Sequence, residues 1–159
     1  MKVLGIDPGS RVTGYGIIEM RKNALVELET GEIKARGREC LSSSLLSIYE
    51  RLLEVIDRLS PDAISIENIF YGKNAKSLIK QGHVRGVAIL AGAARHTPIF
   101  EYTPLEIKQA VVGYGRAEKS QVQMMVKAIL QLPDTPPADA ADALAVAICH
   151  INFLKVTPI

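Results

Sequence analysis

Five short segments of the chain alternate apolar and other residues, and their spacing restricts the fold more than any other feature of the sequence. Residues 2–7, about 12–20 and about 24–34 follow one another with only turns between them, Pro8-Gly9 after the first and Arg21-Lys22-Asn23 after the second. This pattern predicts an antiparallel meander. The other two segments, 63–67 and 99–102, are separated by stretches at helical spacing. Leu45, Tyr49, Leu52, Ile56 and Leu59 mark a helix that opens on N-cap hydroxyls offered by Ser42-Ser43-Ser44 and ends at Pro61. A second helix fits 74–95. Thr103-Pro104-Leu105-Glu106 reads as a capping box with proline at the first helical position. Another helix covers about 118–131, and Pro136-Pro137 opens a last one through about 153. The order β-β-β-α-β-α-β-α-α-α predicts an α/β fold, a mixed five-stranded sheet flanked by helices, in one domain spanning 1–159.

Composition supports a packed domain: 159 residues, 48% hydrophobic and 23% charged, can bury a core. The longest apolar runs, 87–94 and 143–149, are too short to cross a bilayer, and Asp7 interrupts the N-terminus before any signal-peptide apolar region forms. The expected location is the cytoplasm, with no membrane partner. Cys40 and Cys149 lack metal-ligand spacing and are expected to be buried or partly buried free thiols. A net charge of +2, from 19 basic and 17 acidic side chains, neither demands nor excludes a nucleic-acid partner.

Four carboxylates stand out by position. Asp7 and Glu67 each close a strand, on the face opposite Leu4 and Ile6 in one case and Ile64 and Ile66 in the other. If the two strands are neighbours, both acids emerge at one end of the sheet. Asp139 and Asp142, at i and i+3, share a face of the last helix. The methyl side chains of Ala138, Ala140, Ala141 and Ala143 around them let that helix lie close against the sheet. Singly, each acid has an ordinary explanation. An Asp in a first helical turn complements the macrodipole, and an Asp before Pro-Gly is a turn residue. Together they carry a formal charge matched by two divalent cations, and their hard oxygen ligands suit Mg²⁺. Two such ions about 3.5–4 Å apart activate a water and stabilise the leaving oxygen in phosphodiester cleavage.

Three motifs then carry a resemblance. Asp7-Pro8-Gly9-Ser10-Arg11-Val12-Thr13-Gly14-Tyr15-Gly16, Ile66-Glu67-Asn68-Ile69-Phe70 and Ala138-Asp139-Ala140-Ala141-Asp142-Ala143-Leu144-Ala145 resemble the RuvC family of bacterial Holliday-junction resolvases. Gly86-Val87-Ala88, Val111-Val112-Gly113 and Ala117-Glu118-Lys119-Ser120-Gln121-Val122 extend the likeness over about residues 1–154. The resemblance implies a ribonuclease-H-like fold and a homodimer. It also implies Mg²⁺-dependent paired nicking of four-way DNA junctions in recombination and repair, and work alongside the branch-migration proteins RuvA and RuvB. It carries the catalytic, metal-binding acids onto Asp7, Glu67, Asp139 and Asp142. Some relatives place His at the position of Asp139; this chain keeps an all-carboxylate set.

Further candidates concern DNA and self-association. Lys73, Lys76, Lys80 and His83 form a stripe along the second helix, either a solvated face or a set of phosphate contacts. Lys108, Arg116 and Lys119 are further basic candidates, and the resemblance sets Lys108 and Lys119 near the catalytic cleft. Phe70 is either a core aromatic or, as the resemblance implies, a ring that stacks on an unpaired base. Gly82, Gly86 and Ala93 lie on one side of the second helix. That side either packs on the chain's own sheet or forms a two-fold dimer contact. Three other readings compete: an actin-like or sugar-kinase-like ATPase, whose two related domains 159 residues do not accommodate; a non-catalytic junction-binding module, against which the four intact acids argue; and a ribonuclease-H-like nuclease for RNA–DNA hybrids.

Overall fold

The computed structural model describes residues 1–9, 11–22, 24–34, 40–69 and 75–156. Its elements are β1 (Lys2–Asp7), β2 (Val12–Arg21), β3 (Ala24–Lys34), α1 (Leu41–Leu59), β4 (Ala63–Glu67), α2 (Ala75–Ala93), β5 (Ile99–Tyr102), α3 (Pro104–Val112), α4 (Lys119–Leu130) and α5 (Ala138–Val156). The order is the predicted one. The strands form one mixed sheet in the order β3-β2-β1-β4-β5. β1, β2 and β3 are the antiparallel meander, while β1–β4 and β4–β5 are parallel pairs.

Strand parity divides the core. Leu4, Ile6, Ile64 and Ile66 point to one face, where Ile48, Leu52, Val55 and Ile56 of α1 and Val84, Ala88 and Ala91 of α2 cover them. Val3 and Ile18 point to the other face, under α3, α4 and α5. α5 is buried almost throughout, from Ala140 to Ile151, with Asp142 its half-buried exception. It sits directly on the sheet because β1 and β2 present glycines to it. A Cβ on Gly5 would lie 1.9 Å from the Ala143 carbonyl oxygen, and one on Gly14 would lie 2.0 Å from that of Asp139. Any side chain there would have to push the helix away.

The capping box forms as predicted. Thr103 N donates to Glu106 Oε2 at 2.7 Å, and Glu106 N donates to Thr103 Oγ1 at 3.3 Å. The far end of α3 is tied to α5 by Asn152 Nδ2, which donates to the Ala110 carbonyl at 3.1 Å. Tyr102 Oη and His150 Nδ1 share a hydrogen bond of 2.8 Å, fixing the end of β5 to α5.

Several expectations are corrected. α1 begins at Leu41 with Cys40 as its N-cap and no side-chain cap. The serines fall inside the first turn, where the hydroxyls of Ser42 and Ser43 contact Cys40 Sγ. Cys40 is exposed, not buried; Cys149 is buried as expected. α2 stops at Ala93, short of residue 95, because the chain turns through His96 in the left-handed region toward Thr97-Pro98, where proline disfavours continued helix. α5 starts just after Pro136-Pro137 and runs a few residues past the expected end. Among the described residues no helix is long and apolar enough to cross a membrane.

Candidate active site

β1 and β4 are hydrogen-bonded neighbours in parallel, with Ile6 opposite Ile66, so Asp7 and Glu67 leave the sheet side by side at its C-terminal edge. α5 crosses the same edge and brings Asp142. These three acids line one cavity of about 360 Å³ together with Gly9, Gln81, Pro104, Ile107, Lys108, Lys119 and Val122. Each wall has its own origin. The capping box aims the first turns of α3, with Pro104, Ile107 and Lys108. The start of α4 supplies Lys119 and Val122, and α2 supplies Gln81.

The electrostatics are those of crowded acids. Asp7 is only 8% exposed. Burial, then the neighbouring charges of Glu67 and Asp142, push its carboxyl up to about 8. Burial and Asp142 also raise Glu67, against the lowering effect of its hydrogen bond with Asp7. Both carboxyls are therefore harder to ionise than exposed acids. Lys119 Nζ donates to Asp142 Oδ2 at 3.0 Å, and that bond raises the lysine in turn.

Asp139 stands apart from this group. It is half-buried in the first turn of α5 with its backbone carbonyl against Gly14, the strand partner of Asp7, and it does not line the cavity. Of the basic candidates, Lys108 and Lys119 line the cavity and Lys76, Lys80 and Arg116 are exposed away from its wall. Phe70 and Lys73 lie outside the described residues. On α2, Gly82 is half-buried and within reach of Ile69, whereas Gly86 and Ala93 face outward; a Cβ on Gly86 would meet nothing within 4 Å. Packing of Gly86 and Ala93 against the chain's own sheet is thus not their role, and the buried face of α2 is Val84, Ala88, Ala91 and Gly92.

The donor set fits a hard dication. It offers carboxylate oxygens without thiol or imidazole, and burial together with mutual repulsion raises Asp7 and Glu67 despite the opposing effect of Lys119. Among the described residues no three such groups converge at ion-coordinating distance as they stand. Asp7 and Glu67 are engaged with each other and Asp142 with Lys119.

The cavity residues that the sequence did not mark as site candidates are Gly9, Gln81, Pro104, Ile107 and Val122. Gln81 had a readable signal. Leu78, Gln81, Val84, Ala88 and Ala91 recur at spacings of three and four, and an amide interrupts that apolar stripe.

Sequence comparison matches residues 3–150 to the family described as crossover junction endodeoxyribonuclease RuvC. The chain is 53% identical over 152 residues to the protein of that name from Geobacter sulfurreducens, covering 96% of this chain and 93% of that one. It is 54% identical over 153 residues to that of Ruminiclostridium cellulolyticum, covering 96% and 92%. Its fold is similar to that of T. thermophilus RuvC in complex with a Holliday junction substrate, with a TM-score of 0.93 at 32% identity, over 98% of this chain and 96% of that one. The chain belongs to the RuvC family of crossover junction endodeoxyribonucleases, and its fold is ribonuclease-H-like.

Proposed function

We propose that this chain is a metal-dependent endonuclease, one nuclease domain over residues 1–159, that resolves four-way DNA junctions by paired symmetric nicks during recombination and repair in the cytoplasm. The observation that carries the reading is the meeting of Asp7, Glu67 and Asp142 in one cavity walled by Lys108 and Lys119. Asp7, Glu67, Asp142 and Asp139 would hold two Mg²⁺ ions. When bound, the ions supply a nucleophilic water and charge stabilisation at the leaving oxygen. The chain's own residues do the rest. Asp7 and Glu67 would hold the ions in their ionised form. Lys108 and Lys119 attract and orient the scissile phosphate, whose P–O bond breaks as water adds to phosphorus. Burial of Asp7 keeps bulk water from screening the site.

Lys76 and Lys80 on the exposed side of α2, with Lys73 before them and Arg116 beyond α3, would hold the arms of the junction through phosphate. Phe70 would stack on a base at the junction centre, so Phe70→Ala should reduce cleavage more than binding. Equal loss of both would return Phe70 to a packing role.

Two symmetric nicks need two sites in fixed relation, and one chain carries one acid cluster. The homodimer is assigned to the outward face of α2. There Ile79 (62% exposed), His83, Gly86, Leu90 (57% exposed) and Ala93 recur at spacings of four and three, the period of a helix–helix seam. Gly82 lies beside that seam. RuvA and RuvB are the partners that family membership suggests.

The test is a substrate panel with Mg²⁺: a synthetic four-way junction, a flap, a linear duplex and an RNA–DNA hybrid. The junction should be nicked at symmetric positions in opposing strands, and chelation with EDTA should stop the reaction. Faster cutting of the hybrid than of the junction would replace this reading with that of a hybrid-specific nuclease. Tight junction binding without cutting would leave a binding module.

A further inference from the structure

α5 carries a buried imidazole for which phosphodiester hydrolysis gives no direct reason. His150 is 1% exposed. Burial holds its ring below the ordinary histidine range, so the ring is neutral and offers one donor and one acceptor. Its Nδ1 shares the 2.8 Å hydrogen bond with Tyr102 Oη, and its ring lies 4.3 Å from that of Phe100. The Tyr102 ring lies 5.2 Å from that of Phe153. Apolar side chains would fill the same space without the desolvation that two polar groups incur. What the polar pair adds is direction, since a hydrogen bond weakens steeply away from its best angle and length. Both partners belong to the elements that carry the acids. Tyr102 is the register neighbour of Glu67 across the β4–β5 pair. His150 lies on the helix that carries Asp142, about 12 Å further along it.

Between those two helix positions, the backbone at Ala143 and Ala147 rests against Gly5. A glycine lets the helix approach but presents no side chain to stop it from turning or sliding. Asn152 ties α5 to α3, not to a strand. Among the described residues, Tyr102–His150 is the side-chain hydrogen bond that joins α5 to the sheet. We infer that Tyr102 and His150 are positioning residues for the acid cluster: their bond fixes the angle at which α5 crosses the sheet, and so sets Asp142 beside Asp7 and Glu67. The inference rests on the endonuclease reading above. With Gly5 as the pivot, a swing of the His150 end carries Asp142 the opposite way. A misplacement of about 1 Å costs up to about 100-fold in rate, so a small change of angle is felt. Neither side chain lines the cavity. The pair therefore acts through α5 and not on DNA or metal.

The experiment compares the wild type with Tyr102→Phe, His150→Leu and His150→Asn. Phe keeps the ring and removes the hydroxyl. Leu fills the space of the imidazole without its nitrogens, and Asn returns a polar group close to the place of Nδ1. Uptake of Mn²⁺, a paramagnetic stand-in for Mg²⁺, is followed on the protein without DNA by the EPR signal of the free ion. Affinity is read from the midpoint of uptake and folded fraction from its amplitude. kcat and KM are then measured on a four-way junction with Mg²⁺. Tyr102→Phe and His150→Leu should weaken Mn²⁺ uptake by about tenfold and lower kcat, with KM for the junction unchanged. His150→Asn should recover both. In an Asp142→Asn background, Tyr102→Phe should weaken uptake no further, because the residue through which it acts has gone. Wild-type uptake and kcat in a Tyr102→Phe protein whose urea midpoint alone has fallen overturn the inference and leave the pair a packing role. An equal further loss in the Asp142→Asn background overturns it too. A wild type that takes up Mn²⁺ but cuts no junction overturns the endonuclease reading, while the uptake series still decides this inference. A wild type that takes up no Mn²⁺ overturns both.

Discussion

Lys119 Nζ lies 3.0 Å from Asp142 Oδ2, so the acid that α5 sends into the cavity is already held by a cation from the first turn of α4. The lysine side chain is 76% exposed, and a pair so open to water contributes at most about 1 kcal/mol to folding. Lys119→Met should therefore leave the urea midpoint nearly unchanged. If Lys119 also clamps the scissile phosphate, kcat on the junction should fall at least about tenfold. A rise in KM with kcat intact would reduce its role to attraction of DNA.

Asp7→Asn separates folding from chemistry. An acid whose folded value is raised, here to about 8, binds its proton more tightly in the folded chain. Its contribution to stability is present below its unfolded value of about 4 and is lost as pH rises through about 8. Asparagine does not titrate. In metal-free buffer the wild type should lose stability relative to the variant as pH rises over that window, and the variant should be the more stable of the two at the alkaline end. Cleavage with Mg²⁺ should fall by at least about 100-fold, since even groups that only orient metal ligands cost about 10–100-fold. A pH-independent stability difference would mean that the Asp7 carboxyl ionises freely in the fold.

Gly14→Ala tests how α5 is seated. The new methyl would lie 2.0 Å from the Asp139 carbonyl oxygen, and a backbone atom cannot step aside as a side-chain end can. Denaturant titration should show a loss of about 1–3 kcal/mol. The displaced first turn of α5 should cost cleavage as well. Wild-type stability would show that α5 accommodates the methyl by shifting as a body.

Gly86→Glu addresses the dimer. The added side chain meets open space on the isolated chain, so the fold should be unaffected. At a helix–helix seam the same side chain would clash and bury an unpaired carboxylate. Sedimentation should report a monomer, and the paired nicks should become uncoordinated. A variant that stays dimeric and resolves junctions normally would place the interface elsewhere.

Lys80→Ala should weaken junction binding evenly across sequences and lower the slope of log K against log salt by about 1. An unchanged slope would make Lys80 part of a solvated face.

The parts of the site legible in the sequence were those set by short-range rules. Alternation fixes which face a strand residue takes, so Asp7 and Glu67 could be assigned to one side from Leu4, Ile6, Ile64 and Ile66. The Thr103–Glu106 cap is local chemistry and formed as read. The rest depended on contacts between elements. Residues three apart on a helix differ by roughly 60° around it and about 4.5 Å along it. That offset is enough to put Asp142 in the cavity wall and leave Asp139 beside Gly14. The outward set of Gly86 and Ala93 followed from which stripe of α2 the sheet covers, Val84, Ala88 and Ala91, in a helix rich in small residues on several sides. The register shift between Ile17 and Ile18 in the β2–β3 pair left no mark in the alternation.

The seating of α5 on Gly5 and Gly14 also bears on how the protein is made. Asp7 and Glu67 leave the ribosome before Asp142, on strands that pair with each other, while Asp142 arrives only with α5. Until then the groove over β1 and β2 is uncovered and the acid set is incomplete. A nascent chain stalled before residue 138 carries the strand acids but neither aspartate of α5. Translation therefore supplies the strand acids first, and the acid-lined cavity closes only once α5 has docked on β1 and β2.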